Sequence, residues 1–404
     1  MTVNTAGEDP RPWADRLWSA VSDGDERTAV DAAFGALDAG VAPESVLLDV
    51  VGAVQRRVGE EWAANRMTVA AEHAATAIND RVIAVLAHHP AWRAAVPERA
   101  PGGGTGRITV ACVEGEWHAL PARLLAEVLR LRGWRVDYLG AQVPAPHLIA
   151  HLHRTACDAV ALSSSIATRL PGTHATITAC RAIGVPVLVG GAAFGADGRH
   201  ARLLGADAWA PDARAAAELL AEGLPARSGG AGTDHRPAED LPHLADQEYT
   251  LVKGAAPALV RGTMAALEQT VPATRGYTEA QRERTTEDIA HIADFLATAL
   301  YTDDTELFLG FIRWTAGVLD ARGVPAQDLA SGLEALREQL RDLPRAARMI
   351  GLAVDEIRRT THGPTPSAPR DVPELLRGRN PDDRDHQDHP DHPDLALPPH
   401  GRPV

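Results

Sequence analysis

Glu116-Trp117-His118 is the stretch of this chain whose residue types most directly suggest chemistry. An imidazole coordinates a transition metal through one ring nitrogen, and a carboxylate two residues earlier can hold the other. Taken alone, a loop histidine beside a glutamate is more often a solvated surface residue. Two further patterns shift that weighting. Ser163-Ser164-Ser165 and Gly190-Gly191 each follow an apolar run of strand character. Small hydroxyl residues leave room for a ligand beside a sheet, and glycines allow close backbone approach. Upstream stands Trp62, then nine residues, then Glu72-His73. Trp62 ends one helical stretch and the pair opens the next, so all three can face one side of a bundle. A buried tryptophan with a surface Glu-His pair is the plain alternative.

These residues need elements to position them. Residues 108–113, 134–138, 159–163, 185–189 and 206–209 are short β-rich runs, with helical stretches near 118–132, 144–156, 171–183, 198–204 and 212–223. Such alternation predicts a parallel sheet with helices on both faces. Ligands of such sheets lie beyond the carboxyl ends of the strands, which is where the His118, Ser163 and Gly190 loops fall. Residues 11–90 are alanine-rich and helical in period. Asp23 and Asp25 precede one helix, Gly40 ends it, Pro43 opens the next, and a last helix from Thr68 to His88 stops at Pro90. This predicts an antiparallel four-helix bundle. Residues 91–106 and 224–246 read as linkers. Residues 247–360 predict helices at 247–270, 278–300, 304–321, 326–341 and 344–360. Residues 361–404, rich in Pro, Asp, His and Arg, predict disorder. The fold class is thus α/β plus all-α.

Composition bounds the function. A chain of 404 residues makes two to four domains. The net charge of −14 argues against a nucleic-acid surface. No apolar run reaches transmembrane length and the first residues lack a signal-peptide core. Cys112, Cys157 and Cys180 sit in apolar surroundings and read as buried thiols of a reducing, cytoplasmic compartment. Lys253 is the only lysine. Eight tryptophans against five phenylalanines and four tyrosines is an unusual balance.

The α/β segment, about 106–223, resembles the cobalamin-binding domain of B12-dependent enzymes and corrinoid proteins. That family carries Asp-x-His-x-x-Gly, a serine motif and Gly-Gly. The resemblance implies that His118 replaces the cofactor's own dimethylbenzimidazole as lower cobalt ligand, oriented by Glu116. It also implies that the displaced nucleotide tail lies in a groove lined by Ser163, Ser165, Gly190 and Gly191. Glu116 stands for the aspartate, as in a light-sensing branch, and Pro121 for the usual glycine. A preceding four-helix bundle with Trp-x9-Glu-His resembles CarH-type photoreceptors. In these the matching residues, here Trp62, Glu72 and His73, cap the upper face of adenosylcobalamin. Trp117 flanks the same face region. Two departures stand out. Family members commonly have a histidine directly after the tryptophan, and here Ala63 occupies that position. The family's transcription factors begin with a DNA-binding domain, whereas only about ten residues precede this bundle, so direct operator binding is not expected.

The third region adds His291, Asp294 and Phe295 on one helical face, then Tyr301, Phe308, Phe311, Arg313 and Trp314. A satisfied core carries equal weight as their explanation. The architecture resembles photocobilins, which hold cobalamin together with biliverdin in a globin-like C-terminal domain. The resemblance implies a slot lined by tryptophan and phenylalanine, Trp314 among them, with Asp294 or His291 on the pyrrole nitrogens, Arg313 or Arg261 on propionates, and Tyr301 in the same site. No cysteine follows residue 224, so a thioether link is excluded; a haem competes for the same slot. His386, His389 and His392 are spaced for a metal, but intervening prolines prevent the helix that would align them. Nothing resembles a nucleophile triad, a P-loop or a zinc site.

The expectation is a light-responsive, homo-oligomeric cobalamin sensor of cytoplasmic location, signalling to a protein partner, rather than an enzyme. The alternatives are a corrinoid methyl carrier serving a methyltransferase and a light-independent cobalamin sensor. A mutase would need a substrate-binding barrel, which this chain lacks.

Overall fold

The structure, a computed structural model, describes residues 8–97, 106–224 and 246–362. The expected linkers fall largely, and the His/Asp-rich tail almost wholly, outside the described residues.

The first region is a bundle of α1 (Arg11–Ser22), α2 (Glu26–Asp38), α3 (43–63) and α4 (Val69–Leu86). Each start has a local cause. Asp25 accepts the Thr28 amide at 3.0 Å, Pro43 stands at the first turn of α3, and Thr68 accepts the Ala71 amide at 3.1 Å. Helix α3 carries a π turn over Val46–Val51, a feature that re-aims the helix beyond it; Trp62 stands near its end. Pro90, expected to stop the bundle, instead opens a short helix α5 (Pro90–Ala95) that buries Trp92. A proline lacks only the amide that a first turn leaves unpaired, so it starts a helix as readily as it ends one.

The second region alternates β1 (Arg107–Cys112), α6 (Leu120–Leu131), β2 (Arg135–Gly140), α7 (Ala145–Thr155), β3 (Ala159–Ser163), α8 (Leu170–Ala182), β4 (Val187–Gly190), α9 (Arg199–Leu203), β5 (Ala208–Ala210) and α10 (Ala213–Glu222). All pairings are parallel, in the order β2-β1-β3-β4-β5. Strands β1 and β3 are neighbours whose chains leave toward opposite sides. That topological switch point is where doubly wound sheets open a crevice. Buried Leu47, Val50 and Val54 of α3 share one core with Leu124 and Val128 of α6 and Ile108 and Val110 of β1, so the bundle packs against one face of the sheet domain. Cys112, Cys157 and Cys180 are buried and free, and burial pushes the Cys112 and Cys180 thiols up to about 12.

The third region is all helix: α11 (Glu248–Thr270), α12 (Glu279–Thr302), α13 (Thr305–Ala321), α14 (Ala326–Gln339) and α15 (Pro344–His362). Its core centres on Leu296, Leu300, Phe308, Leu333, Met349 and Ile350. It also meets the other two regions. Tyr301 joins the core on the far face of the sheet, and its hydroxyl lies 2.6 Å from His174 Nδ1. Asp304 accepts from His200 Nε2 at 2.8 Å and pairs with Arg199 at 2.8 Å. Among the described residues, no helix is long and apolar enough to cross a membrane.

Candidate functional site

The loop after β1 carries Glu116 and His118, and the loop after β3 begins at Ser164. Since β1 and β3 are paired, with Cys112 opposite Ser163, the two loops meet at the switch point. There Glu116 is fully buried. One of its oxygens accepts the His118 ring Nδ1–H at 2.6 Å and the His118 amide at 2.9 Å. The other accepts the amides of Ser165 at 2.6 Å and Ile166 at 3.0 Å. Burial opposes ionisation of Glu116, but the bonds from the His118 ring and amide and from Ser165 outweigh it and hold its carboxyl below the usual range. A carboxylate can only accept, so the His118 proton stays on Nδ1 and Nε2 keeps its lone pair. The His118 side chain is 38% exposed. The result is an imidazole fixed in orientation, with its Nε2 free of the loop's own bonds.

The tail-side motifs have local causes too. Ser163 and Ser164 are buried, and Ser163 pairs with Gly190 across β3 and β4. Gly191 has φ +102°, and a Cβ there would collide with the Ser164 carbonyl. Gly-Gly therefore lets the β4 loop close on the β3 loop, and only glycine fits.

On the opposite side of the crevice stand the bundle residues. The His73 ring lies 6.4 Å from the Trp117 ring, which stacks on His118 at 4.3 Å. His73 Nδ1 reaches Glu72 Oε2 at 2.7 Å and the Val69 carbonyl at 2.9 Å. Glu72 accepts from Thr76, Thr76 from Gln55 at 2.8 Å, and Gln55 from buried Asn79 at 2.8 Å. That polar chain fixes α4 against α3 and could not be read from local spacing. Trp62 is turned toward the third region. Its ring stacks on Trp314 at 6.2 Å, and the Arg322 guanidinium lies 5.2 Å over it.

The residues expected around a bilin each have a nearest partner. His291 is half-buried and bonded to the Glu287 carbonyl of its own helix. Asp294 pairs with Lys253 at 2.6 Å. Tyr301 is buried against the sheet domain. Arg313 lies between Glu306 and Glu356. Trp314 is 41% exposed at the junction with the bundle. These groups thus meet different neighbours. Among the described residues, no cluster of three metal-ligating side chains occurs, and His386, His389 and His392 lie outside them.

A doubly wound sheet with an oriented histidine at its switch point and a bundle across the crevice is the architecture of a corrinoid-binding protein. Family models described as B12 binding domains match residues 106–221 and, separately, 13–87. The chain is 30% identical over 198 residues to the HTH-type transcriptional repressor CarH of Myxococcus xanthus, covering 46% of this chain. It is 36% identical over 200 residues to CarA of the same organism, covering 47%. The chain spans 62% of the length of each of these two relatives. It is also 31% identical over 134 residues to dimethylamine corrinoid protein 3 of Methanosarcina mazei, covering 31% of this chain and 79% of that one. The chain belongs to the B12-binding family of cobalamin proteins. Within it, the bundle and sheet domain together are CarH-like.

The residues present fit the cofactor. Cobalt takes an imidazole nitrogen, and the Glu116 bond to Nδ1 leaves Nε2 of His118 as the one turned to that role.

Proposed function

We propose that the protein is a light-responsive sensor that binds adenosylcobalamin with His118 below the cobalt and the bundle above it. When bound, that cofactor supplies a cobalt–carbon bond that light breaks. The observation that carries the reading is the approach of His73 to the Trp117-His118 loop. It sets a residue of the bundle against the loop that holds the lower ligand. Glu116 orients the His118 ring and is itself fixed by the Ser165 and Ile166 amides. Glu72 and His73 would close the upper face, and Trp62, stacked on Trp314, would join that face to the third region. Loss of the upper ligand would remove the contacts that favour this closed arrangement, so the equilibrium shifts to an open one. Ala63 follows Trp62, so that position supplies no second imidazole after photolysis.

A row of rings favours biliverdin as a second chromophore. Phe295 stacks on Phe311 at 3.7 Å, Phe311 lies 6.2 Å from Trp314, and Trp314 lies 6.2 Å from Trp62. The row runs from α12 to the tryptophan at the proposed upper face, and part of it is exposed. Biliverdin lying along it would place its absorption beside the cobalamin.

The test is reconstitution of the full chain with adenosylcobalamin, with and without biliverdin, followed by illumination. Absorption and light scattering before and after light should both change. Unchanged spectra and oligomeric state would overturn the sensor reading. A dark cobalamin titration that shifts the oligomer as much as light does would favour the light-independent sensor. Methylation of bound cobalamin by a methyl donor enzyme would favour the carrier.

A further inference from the structure

The third region encloses a cavity of about 180 Å³ that none of the expected ligand residues lines. Its walls are mostly apolar: Leu267, Ile289, Ile292, Leu319, Leu329 and Leu336. An apolar cavity of about 150 Å³ accepts benzene, so this one suits a molecule of ring size.

Arg322 lines the same cavity and is only 6% exposed. Its Nε is buried without a hydrogen-bond partner. Its terminal nitrogens donate only to backbone carbonyls: Val318 at 3.1 Å, Ala63 at 3.5 Å and Trp62 at 3.4 Å. A buried permanent cation with an unused donor is costly unless an anion reaches it. Three other polar groups of the lining are engaged. Thr263 accepts from Gln339 at 2.8 Å, Thr274 donates to the Val271 carbonyl at 2.8 Å, and Gln281 caps α12.

We infer that this cavity binds a small apolar carboxylic acid, its carboxylate on Arg322 and its hydrocarbon body against the leucine and isoleucine walls. Asp288, on α12, also lines the cavity. Burial, and then Glu287, push its carboxyl up to about 7, with Arg322 opposing. In its neutral form Asp288 donates to the ligand's second oxygen, so binding favours the protonated form. The other ionisable groups at the cavity are Arg284 on the same helix, Tyr277 before it and Asp328 on α14. Arg322 holds the end of α3 and lies over the Trp62 ring, so the bound acid alters the surroundings of Trp62. Any effect on cobalamin rests on the function proposed above; binding of the acid does not.

The experiment is calorimetric titration of the full chain with benzoate, benzamide and benzylamine at pH 6 and pH 8. Benzoate should bind at least tenfold more tightly than the other two. Its affinity should fall by about tenfold between the two pH values as Asp288 loses its proton. Arg322→Gln should weaken benzoate at least tenfold. Should that variant fail to fold, Gly332→Leu provides the second arm. Gly332 lies within α14, and a Cβ there would meet a Leu267 methyl at 3.8 Å, an ordinary contact. The leucine fills the cavity while improving the helix, and should abolish binding without loss of thermal stability. Benzoate should shift tryptophan emission in the wild type but not in Trp62→Phe. Equal binding of the three compounds, no benzoate binding at millimolar concentration, or undiminished binding in a folded Arg322→Gln or Gly332→Leu variant would overturn the assignment. Binding without an emission shift would remove the link to Trp62.

Discussion

Glu116 ties His118 to the β3 loop: one oxygen holds the imidazole at 2.6 Å while the other accepts the amide of Ser165, 49 residues further on. The carboxylate therefore sets the tautomer of the imidazole and joins the two loops of the crevice. Glu116→Gln keeps the shape but can no longer accept from both sides with either end. Loss of such a partner costs about 10–100-fold in metal affinity. A cobalamin titration followed by absorption should show weakened binding and a spectrum in which histidine no longer ligates cobalt. Wild-type affinity in this variant would show that the loop, not the carboxylate, orients the ring.

Gly191 is predicted to tolerate no side chain. Its φ of +102° disfavours any L-residue, and a Cβ would strike the Ser164 carbonyl. Gly191→Ala should cost about 2–4 kcal/mol and displace the β3 loop that carries the Ser165 amide. Thermal melting should show the destabilisation, and the folded fraction should bind cobalamin less tightly. An unchanged melting temperature would mean that the loop yields freely.

Much of this was legible in the sequence. The five strands lie within a few residues of the β-rich runs, because buried parallel strands are short apolar runs bounded by turns. The five C-terminal helices are equally close, set by signals such as the Thr278–Gln281 capping box. The His118–Glu116 pair was legible because the two lie two residues apart. Arg322 was not, since its partners lie at Trp62 and Ala63, 260 and 259 residues away. Spacing assigns a helix face but not the neighbour it meets, and Asp294 meets Lys253 while Tyr301 meets the sheet domain.

The third region should separate from the sheet domain on loss of Asp304. This residue caps α13 by accepting the Leu307 amide at 3.2 Å, and it binds His200 and Arg199. Burial opposes its ionisation, but the His200 bond, the Leu307 amide and Arg199 prevail and lower its pKa. Its contribution is present above the ordinary aspartate value and is lost as pH falls through the lowered one. Asp304→Ala should cost about 2–3 kcal/mol at neutral pH and hasten proteolysis between the two regions. Asp304→Asn, which can still cap, should cost less. Equal protease resistance of wild type and Asp304→Ala would show that the apolar contacts of Tyr301 suffice.

Asp288 yields a prediction of opposite sign. Burial and Glu287 raise its carboxyl to about 7, well above the ordinary aspartate value of 3.8. Between those values the folded chain holds a proton that the unfolded chain has released. Stability from this group is therefore full below about pH 4 and declines as pH rises through 7. Asp288→Asn cannot ionise, so its stability should stay level over the same range. The two proteins should melt together near pH 4.5, and the variant should be more stable by about 2 kcal/mol at pH 8, less than the full shift would give because the cavity can admit water. Denaturant unfolding at four or five pH values measures the difference. Parallel curves from pH 5 to 8 would mean that Asp288 titrates as an ordinary surface carboxylate, which would also remove its part in binding an acid.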